Sequence, residues 1–550
     1  MPGRTPLLPP HPALRVSVVV PARDEQALVG SCLAALAKQE GITAEEYEVL
    51  LVLDDCTDAT EERALEVVAE HPGLYLHLLE GPGRGAGHAR KVGMEEACAR
   101  LLSLGHPDGL IASTDADTVV VPDWLSAQLE AANRGAKAIG GRIELRDDMA
   151  LPLGVSGWRA EQGRLRQRAL LSSFGSAGEP MRTEHWQFSG ASLALTAATY
   201  AEIGGLKPRA ALEDEYLERT LERHGIPIER PLAVRVATSA RLVGRAKRGL
   251  ARDLALASWV RENTYDGADL DLENLLENKR ASGIRVSIVV PMRGKGRGTA
   301  ALLGALEPLA ESRLVDETVI LCPENVESPI SGSGAVTVHR EAELMPDFGP
   351  VRGYGDALWR GLSAVSGDVV LFLDPSVPDS KGRRALGLLG PLLSRVDLSF
   401  IKGFSSESSD EGTAALSELV ARPLINLYNP ELAGFVEPLS AEFAARRSLL
   451  SSLPFPAGYG AALSLLLDAA DLAGAPALAQ TRLGPRPAAS VSLPYLGEAA
   501  YAILVAATAR ALGDEELDDR APGPLFLPLP GRLEARRVAV EERPPLDSLL

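Results

Sequence analysis

A short apolar segment occurs twice in this chain, and the repeat limits the possible folds more than any other feature. Arg15-Val-Ser-Val-Val-Val-Pro21 returns 270 residues later (285 minus 15) as Arg285-Val-Ser-Ile-Val-Val-Pro291. Each copy is a run of apolar, mostly β-branched residues stopped by proline, which is typical of a strand buried on both faces of a parallel sheet. Two further pairs align at the same offset, namely Gly83-Arg-Gly-Ala86 with Gly353-Tyr-Gly-Asp356, and Arg90 with Arg360. The repeat predicts two copies of one fold in tandem.

Strands alternate with helices in the first copy, as the spacing of its apolar residues indicates. After the first strand, the pattern predicts helices over 27–38, 60–70 and 87–102, and strands over 47–53, 74–79 and 109–113. This alternation is typical of a doubly wound α/β fold with a parallel sheet. The expected fold class is therefore α/β, with two Rossmann-like sheets in tandem.

The chain of 550 residues is longer than a single hydrophobic core usually supports. The predicted segments are a leader (1–13), a first sheet domain (14–249), a helical connector (250–283), a second sheet domain (284–515) and a Pro-rich tail (516–550). Because the tail is rich in proline and charge, we expect it to be loose or to wrap around a domain.

Acidic residues follow the predicted strands of the first copy. These residues are Asp24, Asp54, Asp55, Asp115 and Asp117. Ligands of open α/β sheets bind beyond the carboxyl ends of the strands, where these side chains converge. Carboxylates such as Asp115 and Asp117 can hold a hard divalent cation that neutralises a diphosphate. The alternative is that a carboxylate at a strand end only caps the following helix.

Composition excludes several classes of partner. The formal net charge of -18 argues against nucleic acid and anionic membranes, so a phosphorylated substrate must meet a local metal ion or arginine. Four cysteines without a CxxC spacing indicate a reduced, cytoplasmic protein. We expect no signal peptide and no membrane span, and the sequence is compatible with a homodimer.

Four segments of the first half resemble glycosyltransferase family 2, which has the GT-A (nucleotide-diphospho-sugar transferase) fold. They are Val16–Glu25, Leu53–Thr60, Thr114–Asp117 and Leu212–Glu215, and they occur in family order over roughly 14–245. The resemblance implies a UDP- or GDP-sugar donor, a small-molecule or glycan acceptor, and Mg²⁺ or Mn²⁺ as cofactor. It implies donor contacts by Pro21, Ala22, Arg23, Glu25, Asp54, Arg84 and Asp115, with Asp115 and Asp117 holding the metal ion.

The same resemblance implies residues on the acceptor side. Glu213 and Asp214 match an acidic motif, and Asp214 is the candidate base that removes the proton of the acceptor hydroxyl. A negative helix start, favoured by the helix dipole, is the alternative interpretation. Trp186, Ser189 and Gly190 match the acceptor segment, although Trp186 could equally be a core residue. A basic stretch with Arg241, Arg245 and Arg248 is interpreted either as a diphosphate or phosphorylated-acceptor site or as a solvated face.

Residues 284–495 resemble the glucosyl-3-phosphoglycerate synthases, which also have the GT-A fold. The family's metal-binding Asp-Ser-Asp is Asp374-Pro-Ser376 here, a donor-binding lysine falls at Tyr354, and a metal-binding histidine falls at Ala488, whereas Glu442 is retained. A neutral serine cannot replace a carboxylate on a divalent ion. The resemblance therefore implies a GT-A domain with a degenerate, non-catalytic site.

Three functions remain open from the sequence. The first is a glycosyltransferase whose catalysis lies in the first half. The second is a bifunctional enzyme in which the second half makes glucosyl-3-phosphoglycerate or a near analogue. The third is a sugar nucleotidyltransferase, which requires a Gly-rich basic loop after its first strand; Ala22–Glu25 is not such a loop, and only Met292–Arg297 approaches one.

Overall fold

The computed structural model divides the chain into two compact units, Met1–Ser258 (unit 1) and Trp259–Leu550 (unit 2). The structure describes residues 7–146, 163–168, 183–209, 212–244, 249–292, 298–324, 326, 334–379, 381–405, 411–486, 492–512 and 523–549. Across these ranges, no helix is both long enough and apolar enough to cross a membrane.

Unit 1 contains ten strands and seven helices within its described residues. The strands are β1 (Val16–Ala22), β2 (Tyr47–Leu53), β3 (Leu76–Glu80), β4 (Leu110–Ser113), β5 (Thr118–Val120), β6 (Ala138–Gly140), β7 (Arg142–Leu145), β8 (Leu193–Thr196), β9 (Ile228–Glu229) and β10 (Arg235–Thr238). The helices are α1 (Val29–Leu36), α2 (Thr60–Glu70), α3 (Ala86–Ser103), α4 (Trp124–Asn133), α5 (163–168), α6 (Ala197–Glu202) and α7 (Glu213–Arg223).

The main sheet of unit 1 has the strand order β3-β2-β1-β4-β8-β6-β9, and a smaller sheet has the order β5-β10-β7. Strand β1 is parallel to β2 and β4, whereas β8 is antiparallel to both β4 and β6. The sheet is therefore mixed, and the expectation of a parallel sheet was wrong. An apolar run such as β8 indicates burial on both faces, but it carries no information about strand direction.

Two hydrophobic clusters cover the two faces of this sheet. Val18 and Val20 of β1 pack into a cluster with residues of α1, α2 and α4, whereas Val19 packs with residues of α3, α6 and α7. Because side chains alternate along a strand, helices on both faces require apolar residues at every position of β1. This explains the unbroken β-branched run in the sequence.

Unit 2 also contains strands and helices. The division between the two units falls within helix α8 (Leu250–Glu262). The strands are β11 (Thr264–Asp266), β12 (Val286–Pro291), β13 (Glu317–Cys322), β14 (Val336–Arg340), β15 (Val369–Phe372), β16 (Phe400–Phe404), β17 (Phe443–Arg446), β18 (Phe455–Pro456), β19 (Leu478–Arg482), β20 (Leu525–Leu529), β21 (Arg532–Arg536) and β22 (Glu542–Arg543). The helices are α9 (Leu272–Ser282), α10 (Thr299–Glu311), α11 (Tyr354–Ser363), α12 (Arg383–Ser394), α13 (Glu411–Leu416), α14 (Arg422–Tyr428), α15 (Arg447–Ser451), α16 (Ala461–Ala473) and α17 (Leu493–Leu512), with a π-helical turn at Ser417–Ala421.

The main sheet of unit 2 repeats the strand order of unit 1. Its order is β14-β13-β12-β15-β17-β16-β19-β11, with β12 parallel to β13 and β15 and with β17 antiparallel to β15 and β16. The first seven strands correspond in order and direction to the seven strands of unit 1. The eighth strand, β11, comes from the segment that was predicted to be a helical connector. The leucine spacing of α8 and α9 indicated helix on both sides, so the three strand residues between them were not recognised.

The described part of the tail is held on unit 2. Strand β22 pairs with β18, and Arg543 of β22 forms a bidentate pair with the buried Asp356, at 2.9 and 2.6 Å. Trp359 donates its indole N–H to the carbonyl of Pro544 at 2.8 Å. Residues 542–544 therefore contact α11 directly through hydrogen bonds.

A glycine allows close packing between helix and strand in each unit. A Cβ atom added at Gly93 of α3 would lie 2.4 Å from Cγ1 of Val19 in β1. A Cβ atom added at Gly361 of α11 would lie 2.7 Å from Cγ1 of Val289 in β12. Val19 and Val289 are separated by the repeat offset of 270 residues (289 minus 19). The repeat therefore preserves a helix-to-strand contact as well as a strand.

We expect Gly93→Ala and Gly361→Ala each to lower the free energy of unfolding of the unit that carries it by about 1 to 3 kcal/mol. The reason is that the added methyl group overlaps a valine in a closely packed core. Thermal and urea unfolding of the full chain measure the change.

Gly30 in α1 and Gly304 in α10 provide matched controls. A Cβ atom at Gly30 makes only an ordinary contact at 3.9 Å, and one at Gly304 meets nothing within 4 Å. Alanine at either position should raise stability by up to about 1 kcal/mol, because alanine favours helix more than glycine does. Equal destabilisation by all four substitutions would contradict the packing explanation.

Candidate active site

A cleft with a volume of about 790 Å³ opens in unit 1 at the carboxyl ends of β1, β2 and β4. Of the thirteen residues that the resemblance to glycosyltransferase family 2 implies, twelve line it: Pro21, Ala22, Arg23, Glu25, Asp54, Asp115, Asp117, Trp186, Ser189, Gly190, Glu213 and Asp214. The exception is Arg84, which is exposed and does not line the cleft. Asp24 and Asp55, which were predicted from their places at strand ends, do not line it either. The sheet therefore brings together residues that are up to 193 positions apart in the chain (214 minus 21).

The loop after β1 is fixed to the loop after β2. Asp24 has a positive φ of 51°, and its carboxylate accepts hydrogen bonds from the backbone N–H of Thr57 at 2.7 Å and from the Thr57 hydroxyl. The backbone N–H of Glu25 donates to the hydroxyl of Thr60 at 2.7 Å. Asp24 thus joins two loops, and these contacts hold the Glu25 backbone at the edge of the cleft.

Asp54 organises the turn that leads into α3. Its side chain is buried, and its two oxygens accept hydrogen bonds from the backbone N–H groups of Gly83 at 2.7 Å and Gly85 at 2.8 Å. Gly85 precedes α3 with φ of 98°, a conformation that favours glycine. The predicted donor residue Asp54 therefore also shapes the wall of the cleft at the start of α3.

Arg90 of α3 connects three parts of the cleft. Its guanidinium lies 2.7 Å from Oδ1 of Asp115 and 3.0 Å from Oε1 of Glu213, and it donates to the carbonyl of Gly190 at 3.0 Å and to the hydroxyl of Ser113. The side chain is only 3% exposed. Burial alone would lower the pKa of Arg90, but the Asp115 and Glu213 carboxylates hold it above its ordinary value. The buried positive charge of Arg90 therefore stabilises the Asp115 carboxylate of the Asp-x-Asp segment.

Arg241 binds the second carboxylate of the Asp-x-Asp segment. Its Nη2 atom lies 2.9 Å from Oε1 of Glu25 and 2.9 Å from Oδ2 of Asp117, and its Nη1 atom lies 3.1 Å from Oε2 of Glu25. The Arg241 side chain is 26% exposed, whereas those of Glu25 and Asp117 are 8% and 12% exposed. This arginine comes from the predicted basic stretch, whose other members, Arg245 and Arg248, lie outside the described residues.

The electrostatics of this network suit a divalent cation. Four carboxylates (Glu25, Asp115, Asp117 and Glu213) face two guanidiniums (Arg90 and Arg241), which leaves a formal charge of −2. Burial and the neighbouring Asp115 carboxylate raise the pKa of Asp117 to about 6, against the opposing effect of Arg241. Magnesium and manganese prefer oxygen ligands and bind through few carboxylates. The described residues contain no cluster of three or more metal-binding side chains. The two predicted metal ligands, Asp115 and Asp117, both line the cleft.

The predicted acceptor-side residues lie at the start of α7 and in the segment before β8. Asp214 accepts hydrogen bonds from the backbone N–H of Gly190 at 3.0 Å and from that of Glu215 at 2.9 Å, and it remains partly exposed. Glu213 is buried against Arg90 instead. Trp186 is half-buried, and the guanidinium of Arg166 lies 4.7 Å from its ring centroid. Of the two acidic candidates, only Asp214 presents a carboxylate that is not paired with Arg90.

The predicted degenerate site of unit 2 has a different set of contacts. Asp374 accepts hydrogen bonds from the backbone N–H and the hydroxyl of Ser376, at 2.9 and 2.6 Å. Glu442 accepts from the backbone N–H of Asp374 at 3.2 Å and forms an ion pair with the buried Arg384. Burial and the nearby Arg486 lower the pKa of Arg384 to about 10. Arginine thus occupies one side of the Glu442 carboxylate.

Of the other predicted residues of that site, Tyr354 contacts the residue that precedes Glu442, and Ala488 is not described. The hydroxyl of Tyr354, at the start of α11, donates to the carbonyl of Ala441 at 3.0 Å. Ala488 and residues 293–297 of the basic loop lie outside the described residues.

Sequence reasoning missed Arg90 and Arg384 as site residues. Arg90 had a signal, since it aligns with Arg360 in the repeat, and Arg360 is also fully buried beside a carboxylate, that of Asp356. Arg384 had none, because an arginine at the start of a predominantly apolar helix does not indicate a partner.

Comparison with protein families identifies a glycosyl transferase family 2 domain over residues 17–177. The glucosyl-3-phosphoglycerate synthase of Mycobacterium tuberculosis is 37% identical over 230 residues, which are 39% of this chain and 70% of that enzyme. A crystal structure of mannosyl-3-phosphoglycerate synthase from Rubrobacter xylanophilus is 32% identical and covers 54% of this chain and 98% of that one, with a TM-score of 0.48.

The synthase from Mycobacterium tuberculosis has also been crystallised with Mn²⁺, UDP and phosphoglyceric acid. That structure is 30% identical and covers 52% of this chain and 99% of its own, with a TM-score of 0.45. Other crystals of the same enzyme hold Mn²⁺ with UDP-glucose, or Mg²⁺ with UDP, so both predicted cofactor ions are bound by this relative.

The family match and the 37% identical synthase show that the chain is a glycosyltransferase and that its N-terminal part carries an α/β glycosyl transferase family 2 domain. The sequence covers more than two thirds of a curated relative at 37% identity. The chain therefore belongs to the glucosyl-3-phosphoglycerate synthase family and carries a glycosyl transferase family 2 domain at residues 17–177.

Proposed function

We propose that unit 1 transfers a sugar from a nucleoside-diphosphate sugar to a hydroxyl acceptor, and that it requires Mg²⁺ or Mn²⁺. The observation that carries this proposal is the charge of the cleft network around Asp115 and Asp117. Its four carboxylates are paired with only two guanidiniums, which leaves a formal charge of −2. A divalent cation held by Asp115 and Asp117 would neutralise the diphosphate leaving group. The donor we propose is a UDP- or GDP-sugar.

The cleft residues at the ends of β1 and β2 are proposed to orient the donor. Pro21, Ala22 and Arg23 lie at the end of β1, and Asp54 lies beside them at the end of β2. Nucleotides bind at this edge of α/β sheets, so we assign the base and ribose to these residues. Arg90 keeps Asp115 directed into the cleft and contacts the loop that carries Gly190.

Asp214 is proposed as the general base. The two backbone hydrogen bonds fix its carboxylate, and the residue lines the cleft beside Ser189 and Gly190. A base in this position would take the proton of the acceptor hydroxyl as the new glycosidic bond forms, which corresponds to an inverting reaction. Glu213 is assigned to positioning, because its carboxylate is paired with the buried Arg90.

We propose that unit 2 carries a second, non-catalytic copy of the GT-A fold over residues 284–515. Support comes from its strand order and directions, which repeat those of unit 1. It also comes from Ser376 in place of a carboxylate and from the pairing of Glu442 with Arg384. Such a domain would serve assembly, acceptor presentation or regulation.

A bifunctional enzyme is the second candidate function. The resemblance of residues 284–495 to the synthases that catalyse glucosyl transfer to 3-phosphoglycerate favours it, as does the retained Glu442. The nucleotidyltransferase hypothesis lacks comparable support, because the loop after β1 is neither Gly-rich nor basic.

Paired substitutions in the full chain distinguish the two catalytic locations. Asp117→Asn should lower sugar transfer and donor hydrolysis by about a thousandfold, because a metal ligand carries several kcal/mol of transition-state stabilisation. Ser376→Ala should leave both rates unchanged. Consumption of UDP-glucose and GDP-glucose with Mn²⁺, with glycerate and phosphoglycerate among the acceptors, measures them. Loss of activity only in Ser376→Ala would assign the chemistry to unit 2.

Asp214→Asn should lower kcat by about 100- to 10,000-fold while the affinity for UDP with Mn²⁺ stays the same, as expected for the loss of a general base. Glu215→Gln removes one charge from the same helical turn and is the control, which should retain most of the activity. Glu213→Gln should instead lower the melting temperature, because it leaves Arg90 with one carboxylate fewer. A normal kcat in Asp214→Asn would rule out the assignment.

A further inference from the structure

We propose that Arg241 is an exchangeable counter-ion of the cation site. Its guanidinium holds Asp117 and Glu25 before ligands bind, releases Asp117 to the divalent cation, and then pairs with the diphosphate of the donor. This inference rests on the proposed function of unit 1, because it assigns a role to a residue beside the same cation.

The contacts of Arg241 are of the kind that a stronger cation can replace. Nη2 lies 2.9 Å from both Oε1 of Glu25 and Oδ2 of Asp117, so one guanidinium nitrogen is shared between Glu25 and the carboxylate assigned to the metal ion. The hydrogen bonds of the guanidinium go to Glu25, and its contact with Asp117 is an ion pair. Within the described residues, the guanidinium has only carboxylate partners. A divalent cation carries twice the charge of a guanidinium at the same oxygen, so the two compete directly for Asp117.

Arg90 shows what a permanent counter-ion looks like in the same cleft. It is 3% exposed and donates to the carbonyl of Gly190 and the hydroxyl of Ser113 as well as to carboxylates. Displacing it would leave neutral buried acceptors without a donor. Arg241 is 26% exposed and would leave only carboxylates, one of which the cation then binds. The difference in exposure and partners separates a fixed arginine from a movable one.

A diphosphate provides the second position for the Arg241 side chain. Arginine presents a planar fork of N–H groups that matches phosphate oxygens as well as carboxylate oxygens. Glu25 is bound by both Nη atoms, at 2.9 and 3.1 Å, so it can hold one edge of the guanidinium while the contact to Asp117 is exchanged. The exchange therefore needs a rotation of one side chain and no movement of the sheet.

The test compares binding of Mn²⁺ alone with binding of UDP in the full chain. In Arg241→Gln, the affinity for Mn²⁺ without nucleotide, measured by electron paramagnetic resonance of the free ion, should rise about tenfold because the competitor is gone. The affinity for UDP at saturating Mn²⁺, measured by calorimetry, should fall about tenfold because the fork no longer meets the diphosphate. A rise in Mn²⁺ affinity together with a fall in UDP affinity distinguishes exchange from general damage to the cleft, which would lower both affinities.

Two further variants keep the result interpretable. Arg241→Lys retains the positive charge but lacks the planar fork of N–H groups. It should therefore weaken UDP binding while leaving Mn²⁺ binding close to that of the unaltered protein. This variant tests the inference even if the glutamine variant is unstable. Arg63→Gln removes the same charge from an exposed arginine of α2, which pairs with Glu66, and should change neither affinity.

Unchanged or weaker Mn²⁺ binding in Arg241→Gln would overturn the inference. If Asp117→Asn weakens Mn²⁺ binding in that case, the proposed cation site stands and only the exchange fails. If Asp117→Asn has no effect on Mn²⁺ binding either, the proposed function of unit 1 fails with it.

Discussion

The buried guanidinium of Arg90 is the contact on which the candidate active site depends. It reaches the strand end through Asp115, the acceptor-side loop through Gly190 and the start of α7 through Glu213. These three segments are distant in sequence, and the buried carboxylate of Glu213 would lose its arginine partner if Arg90 were absent. Breaking such a buried pair typically costs about 3 to 5 kcal/mol. Because a strand end, a loop and a helix share this partner, the position of the Asp-x-Asp segment and that of the candidate base are coupled.

The elements of the fold could largely be predicted from the sequence, but their arrangement could not. The helix expected over 60–70 is α2, and the strand expected over 47–53 is β2, because apolar spacing directly reflects which faces are buried. Strand β8 was not among the predicted strands, and its four buried residues would look the same in either strand direction. Strand β11 was missed because three residues between two helices give no periodic signal. Pairing and direction depend on contacts distant in sequence, which a local pattern does not contain.

The location of the candidate site could be predicted better than the role of each side chain in it. Strand ends placed Asp54, Asp115 and Asp117 at one edge of the sheet, and these residues do line one cleft. The sequence did not disclose that Asp54 binds the turn before α3 through backbone N–H groups, or that Glu213 is paired with Arg90. A carboxylate's partner depends on side-chain directions and on residues up to 216 positions away (241 minus 25). Arg84, predicted from resemblance alone, is exposed outside the cleft.

The two units show how one strand order can carry two different charge networks. In unit 1, the second Asp of the Asp-x-Asp segment pairs with a partly exposed arginine, which we propose that a divalent cation replaces. In unit 2, Ser376 at the corresponding place donates its hydroxyl to Asp374, and the nearby Glu442 pairs with an arginine that is 5% exposed and also donates to the carbonyl of Val377. A buried arginine with a backbone partner is costly to displace, and a hydroxyl adds no negative charge for a metal ion. The same sheet edge therefore carries a partly exposed arginine–carboxylate pair in unit 1, as the proposed exchange requires, and a buried, internally compensated network in unit 2.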